Sequence, residues 1–262
     1  MTRHAFKHIW PLLVEHGAEA LAMPTVARHA LVAAYQPLLE ASGSRTFVLG
    51  QLGQSLDGRI ATPTGCSRDI NGAAALDHLH RLRALVDAVV VGAGTMIADN
   101  PRLSTRRVLG RSPARVLIDP RGRARGATRW LAADGCRHIV FSDAGDGWPA
   151  SVERIGSAAG DGVFSPADIV AVLARRGLHK LLIEGGADTI SRFIDTGTMD
   201  RLHILLAPVI IGSGRTGLNL KPIDGLEAAL RPAMRQFALE GGDVLFDCDL
   251  RDSVSESSTP SC

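Results

Sequence analysis

The sequence predicts an α/β protein: a mostly parallel sheet between two helical layers, with an antiparallel hairpin at one edge. Runs such as Ala88-Val-Val-Val91 and Leu181-Leu-Ile183 lack in–out alternation, as parallel strands covered on both faces do. These runs alternate along the chain with stretches of helical periodicity, the order that builds a parallel sheet. The last apolar runs follow one another with no helix between them, which is the order of a hairpin. Hydrophobic residues make up 45% of the 262, enough to bury a sizeable core.

The elements follow in order. Residues 1–45 read as a helical N-terminal arm, with helices at Ala5–His16 and Pro24–Leu39. Phe6, Ile9, Trp10 and Leu13 recur at helical spacing, so the arm is expected to pack on a neighbour or a partner subunit. A Ser/Gly linker over 41–45 leads into the main domain, 46–251, which opens with a strand over Thr46–Leu52. Ser55–Ala61 reads as a strand, an Asp57-Gly58 turn and a second short strand. Further strands are predicted at Asp87–Val91, Ala114–Ile118, His138–Phe141, His179–Ile183, Leu202–Ile211 and Asp243–Phe246. Helices are predicted at Gly72–Val86, Pro166–Arg176 and Ala187–Thr196. Residues 252–262, rich in serine and acid, are expected to be a disordered tail.

Composition removes several classes of function. Aromatics are 4% of the chain and the net charge is +2, which disfavours a nucleic-acid partner. Nine arginines (102, 106, 107, 111, 115, 121, 123, 125 and 129) oppose one acid, Asp119, but no aromatic interleaves them. No apolar run is long enough for a bilayer, and Pro11 and Glu15 interrupt the N-terminus, so neither a membrane partner nor a signal peptide is expected. Cys66, Cys136, Cys248 and Cys262 lack metal-ligand spacing, and His78 and His80 face different sides of their helix, so no metal is expected. The expectation is a soluble cytoplasmic enzyme.

Two stretches resemble the dinucleotide-binding pattern G-x-G-x-x-G. Gly92-Ala-Gly94-Thr-Met-Ile97 fails at the third glycine, and Gly212-Ser-Gly214-Arg-Thr-Gly217 lacks a following helix, so both read as tight turns. A better candidate is Ile183-Glu184-Gly185-Gly186, where a buried strand ends in a carboxylate and a helix begins. Backbone N–H groups at such a helix start attract phosphate or carboxylate.

Taken together, Ser55-Leu-Asp-Gly-Arg-Ile-Ala61, Leu82-Arg83-Ala, Asp87-Ala-Val-Val-Val-Gly92-Ala-Gly-Thr95 and Asp99-Asn-Pro-Arg-Leu103-Ser-Thr-Arg106 form a recognisable series. Arg115-Val-Leu-Ile-Asp119, Ile183-Glu-Gly-Gly186 and Ala207-Pro208-Val-Ile-Ile-Gly212 continue it. The series, from about Phe47 to Asp249, resembles the pyrimidine reductase of riboflavin biosynthesis, built on the dihydrofolate-reductase-like fold.

The resemblance implies an NADPH-dependent reduction of a phosphorylated ribosylaminouracil, with hydride delivered to the first carbon of the opened sugar. It implies substrate contacts at Ser67, Arg83, Leu103, Arg106 and Glu184, with Glu184 and Asp99 as the catalytic carboxyl groups. It implies cofactor contacts at Gly53, Thr95, Asp99, Gly186, Ala187, Asp188, Thr189, Ile190, Ser191 and Arg192. A homodimer, formed through a sheet edge and the N-terminal arm, is implied as well. Asp69 departs from the bulky aromatic of the bifunctional members, Pro120 from a serine near the cofactor, and Asn100 and Ser104 are milder variations. An arginine of Asp119-Pro-Arg121-Gly-Arg123, directly after a strand, is a candidate acceptor of the cofactor's 2′-phosphate. The zinc-deaminase signatures H-x-E and P-C-x-x-C of the bifunctional members are absent, so deamination is expected to fall to another protein. The alternatives are a reductase of a dihydropterin or another heterocycle on the same fold, and a non-catalytic nucleotide-binding or assembly module.

Overall fold

The computed structural model describes residues 3–251, so the tail expected at 252–262 lies outside the described residues. The N-terminal half runs α1 (Arg3–His16), α2 (Pro24–Ala27), α3 (Gln36–Glu40), β1 (Phe47–Ser55), β2 (Arg59–Ala61), α4 (Ala73–Leu85), β3 (Ala88–Gly92), α5 (Ala93–Asp99) and β4 (Ala114–Ile118). The remainder runs β5 (His138–Phe141), β6 (Val152–Ile155), α6 (Pro166–Ala174), β7 (Lys180–Glu184), α7 (Ala187–Asp195), β8 (Arg201–Ala207), β9 (Arg215–Thr216), β10 (Ala233–Ala238) and β11 (Val244–Asp249).

Successive strand side chains point to opposite faces, and here both faces are apolar. In β3, Val89 and Val91 enter one cluster while Ala88 and Val90 enter the other. β1 divides in the same way, Phe47 and Leu49 against Val48 and Leu52, and so does β7, Leu182 against Leu181 and Ile183. A sheet of this kind requires a helical layer on each side. α1 and α4 supply one through Phe6, Trp10, Leu13 and Leu82; α6 and α7 supply the other through Ile169, Leu173, Ile190 and Phe193. The N-terminal helices therefore share one continuous core with α4 and the sheet.

The nine-stranded sheet has the order β10-β11-β8-β1-β7-β3-β4-β5-β6. Every pairing from β8 through β6 is parallel, and β11 and β10 add an antiparallel hairpin beside β8. The predicted three-layer architecture is the one observed. Several local expectations are corrected. The span 24–39 is not one helix but α2, a 3₁₀ turn at Ala30–Ala34, and α3, which opens beside Pro37. The strand expected to reach Ile211 stops at Ala207, because Pro208 has no N–H to give the ladder. β2 leaves the main sheet and pairs with β9 instead. β6 and β10 left no readable pattern: the two central residues of β6 are exposed, and β10 is an edge strand exposed at five of its six residues.

Candidate active site

A cleft of about 1260 Å³ opens at the carboxyl ends of β1, β7, β3 and β4. Ligands of open α/β sheets bind in this position. Its centre is Glu184, the last residue of β7. Counting alternately from Leu182 puts the Glu184 side chain on the α4 face of the sheet. There it meets Arg83 from the last turn of α4. Arg83 Nε donates to Glu184 Oε1 at 2.7 Å and Nη2 to Oε2 at 2.6 Å, in a bidentate pair. Both side chains are buried, 6% and 7% exposed. Arg83 Nη1 also donates to the Ser104 carbonyl at 3.2 Å, so one guanidinium fixes both Glu184 and the loop after α5.

That loop is held in unusual backbone geometry. Asn100 (φ 41°) caps α5, and Leu103 (φ 56°) is buried in the cleft wall. A buried leucine in the left-handed region persists only where its surroundings over-determine it, as at ligand clamps. Ser67 Oγ donates to Asp99 Oδ1 at 3.4 Å, joining the segment after β2 to the end of α5. Arg106 lies outside the cleft lining and is exposed, its backbone N–H donated to His80 Nδ1 at 3.1 Å. Burial and the charges of Arg83, Arg102, Arg129 and Arg107 push the Arg106 pKa down. Burial, then Arg83, Arg106 and Arg107, take the His80 imidazole down to about 3. Arg102, Arg106, Arg107 and Arg129 thus gather positive charge beside this end of the cleft, outside its lining.

The floor consists of two turns packed on each other. Gly185 has φ 93°, and a Cβ added to it would stand 2.5 Å from Thr95 Oγ1. A Cβ on Gly92 would strike Thr189 Oγ1. Only glycine at both positions lets the ends of β3 and β7 approach so closely. Gly186 N–H donates to Thr95 Oγ1 at 2.8 Å, and no side chain caps the start of α7. N–H groups there remain available to an anion. The Gly92–Gly94 stretch, read as a turn, is the start of α5. The Gly212–Gly217 stretch is a turn, its Gly212 N–H donated to Asp57 Oδ2 at 2.6 Å, and leads into β9.

The structure brings Ser67, Arg83, Thr95, Asp99, Leu103 and Glu184 into one cleft, together with Gly53, Gly186, Ala187, Asp188, Thr189 and Arg192. It does not bring Ile190 or Ser191 to the cleft surface. Helical periodicity turns Ile190 into the sheet core, and Ser191 Oγ accepts the Asn219 N–H at 2.7 Å beneath the wall. Sequence reasoning missed Gln51, which is buried in the cleft lining and has no hydrogen-bond partner for its amide among the described residues. Its signal was a single long polar residue inside the apolar run Phe47–Leu52. Gln51 belongs to a polar row crossing five strands in register: Glu184, Gln51, His203, Asp247 and Arg235. His78 of α4 meets this row at His203 (3.1 Å) and receives the buried Tyr35 hydroxyl on its other nitrogen at 2.7 Å. Among the described residues no group of His, Cys, Asp and Glu has the arrangement of a metal site, and no helix is long and apolar enough to cross a membrane.

Residues 46–236 match the RibD C-terminal domain. The chain belongs to the RibD C-terminal domain family. A 2,5-diamino-6-ribosylamino-4(3H)-pyrimidinone 5′-phosphate reductase of Methanothermobacter thermautotrophicus is 30% identical over 221 residues, 78% of this chain and 97% of that protein. The riboflavin biosynthesis protein RibD of Actinobacillus pleuropneumoniae is 26% identical over 78% of this chain and 56% of its own length. The chain thus spans about half of that RibD relative, but nearly all of the archaeal reductase. A solved deaminase/5-amino-6-(5-phosphoribosylamino)uracil reductase of Thermotoga maritima superposes with TM-score 0.67 at 26% identity, over 88% of this chain and 62% of that one. The family that the motifs resemble is the family found, and its relatives are named as reductases of riboflavin biosynthesis.

Proposed function

We propose that this RibD C-terminal domain reduces a 6-ribosylaminopyrimidine 5′-phosphate, with NADPH as the reductant. The observation that carries the reading is the Arg83–Glu184 pair, set in a glycine-floored cleft with a cationic mouth. The floor fits a dinucleotide: the Gly92 and Gly185 turns leave room for its diphosphate, and the uncapped start of α7 offers N–H donors. When bound, the nicotinamide supplies the hydride. The chain's own residues do the rest. Glu184, oriented by Arg83, accepts from hydroxyl or N–H groups of the opened sugar. Asp99, joined to Ser67, is the exposed carboxyl group that relays the proton required at the imine nitrogen. Gln51 pairs its free amide with the pyrimidine edge, and Arg106 and Arg102 at the mouth take the sugar phosphate. Leu103 closes the wall over the reacting carbon and keeps water out.

The ring substituent has two readings, because the archaeal relative is named for a 2,5-diaminopyrimidinone and the Thermotoga neighbour for an aminouracil. The uracil is the first reading. NADPH oxidation is measured with both phosphates and with a dihydropterin panel. Turnover on either ribosylamino phosphate, lost in Arg83→Ala, supports the proposal. Turnover on dihydropterins alone, or NADPH binding with no turnover on any of them, rejects it.

We further propose a homodimer in a reducing, cytoplasmic compartment. Support comes from the apolar side chains exposed along 209–234, among them Ile210 (74%), Leu226 (75%) and Met234 (54%), beside the open β10 edge. Light scattering on the full chain tests it, and a monomeric mass at micromolar concentration rejects it.

A further inference from the structure

One wall of the cleft is the two-stranded ribbon of β2 and β9. Asp57, in the turn before β2, accepts the N–H groups of Ile211 at 3.0 Å and Gly212 at 2.6 Å. Arg59 Nε donates to the Gly212 carbonyl at 3.0 Å, and the Gly217 N–H to the Gly58 carbonyl at 3.0 Å. A Cβ on Gly214 would stand 2.4 Å from the Ala61 carbonyl oxygen, so the two strands are in close contact. Beyond β9, Asn219 Nδ2 donates to Asp188 Oδ1 at 2.9 Å and ties the ribbon to α7.

Two arginines of this wall take no part in fixing it. Arg215 of β9 and Arg68, the residue after Ser67, both line the cleft. Neither guanidinium has a hydrogen-bond or ion-pair partner among the described residues. The Arg215 guanidinium lies against Gly65, where an added Cβ would stand 3.4 Å from Nη2. Ser67, two residues on, carries the hydroxyl that meets Asp99. Both arginines therefore flank the point where the ribbon side of the cleft joins the end of α5. None of the carboxylates in the lining, Asp69, Asp99, Glu184 and Asp188, forms an ion pair with either of them. Arg102 and Arg106, by contrast, stand outside the lining.

We propose that Arg68 and Arg215 form the inner half of the substrate-phosphate site, and that they make the cleft select a phosphorylated sugar over its dephosphorylated form. This inference rests on the reductase reading above. A phosphate presents several strong acceptor oxygens, so cations on two walls can grip it at once. Unpartnered guanidinium groups on a fixed ribbon break no ion pair when the ligand arrives, and a neutral hydroxyl in the phosphate's place gains little from them.

Calorimetry on the full chain tests the subsite, with ribose 5-phosphate as the substrate-side probe and 5′-ADP as the cofactor-side probe. Arg68→Ala/Arg215→Ala is expected to weaken ribose 5-phosphate about tenfold or more while binding 5′-ADP within about twofold of the parent. Arg68→Lys/Arg215→Lys is expected to keep part of the affinity. In turnover, the double-alanine variant is expected to show the loss in KM for the phosphorylated substrate rather than in kcat. Thermal unfolding of both variants is expected to match the parent, since neither guanidinium makes a hydrogen bond. Unchanged ribose 5-phosphate binding in the double-alanine variant overturns the inference and leaves the reductase reading standing. So does an equal or larger loss for 5′-ADP, and so does an unaltered protein that binds no ribose 5-phosphate. If ribose 5-phosphate binds through the pair but no ribosylamino phosphate is turned over, the reductase reading falls and the phosphate subsite stands.

Discussion

Arg83 and Glu184 satisfy each other out of water, so removing either partner costs more than losing a surface contact. Glu184→Gln keeps the shape but leaves the Arg83 charge buried and uncompensated, at a cost of about 3–5 kcal/mol. Turnover on the preferred substrate is expected to fall by about a hundredfold or more, and the chemical-denaturation midpoint to drop with it. Unchanged turnover would show that Glu184 is not at the reacting end. A second consequence concerns pH. His80 is held at about 3 against an ordinary 6.5, and burial also lowers His78, His29 and His138. A folded pKa below the unfolded one means that the neutral ring is the form that stabilises the fold. Its contribution is complete above pH 6.5 and is lost as pH falls from there toward the folded values. The melting temperature is therefore expected to fall between about pH 7.5 and pH 5, and His80→Gln to flatten part of that slope. A flat profile for the parent would contradict the buried, neutral state. The motif around Arg83 and the strand-end carboxylate were both visible in the sequence. Their pairing was not, because 101 residues separate them and only the sheet brings β7 beneath α4.

The two glycine turns make the clearest prediction at the scale of elements. Gly185→Ala must hold a side chain at φ 93° and push Thr95 aside, disturbing the contact between the starts of α5 and α7. The expected outcome is a loss of about 1–3 kcal/mol in stability and weaker NADPH binding, read by calorimetry. Gly94→Ala, which has open space around its added Cβ, is the matched control and should leave both nearly unchanged. The fully buried strands were the most legible elements: Ala114–Ile118 and His138–Phe141 fall on the residues that their short, largely apolar runs marked, although each carries one polar residue, Arg115 and His138. The short α5 was not, since its seven residues carry too few turns to show a period. The segment 24–39 misled because apolar residues at helical spacing also suit a 3₁₀ turn, and Pro37 starts a new helix inside the span.

For the molecule as a whole, the first forty residues are a structural question before they are a functional one. Trp10 is 4% exposed and shares a cluster with Tyr35 and Leu82, so Trp10→Ala is expected to cost about 3–5 kcal/mol. Removal of residues 1–40 is expected to give aggregated protein, because the α4 face of the sheet would lose its cover; a well-folded truncated protein in solution would refute that packing. The sheet order carries one more consequence, for the growing chain. β7 lies between β1 and β3, yet Lys180 pairs with Phe47 across about half of the sequence. A nascent chain that has reached β6 has both of these strands with unpaired edges and no complete cleft between them. Folding must wait for a late segment to thread into the middle of a half-built sheet, a topology that slows refolding and leaves a period of aggregation risk. The centre of the cleft is assembled only after the strands that flank it on both sides have been made.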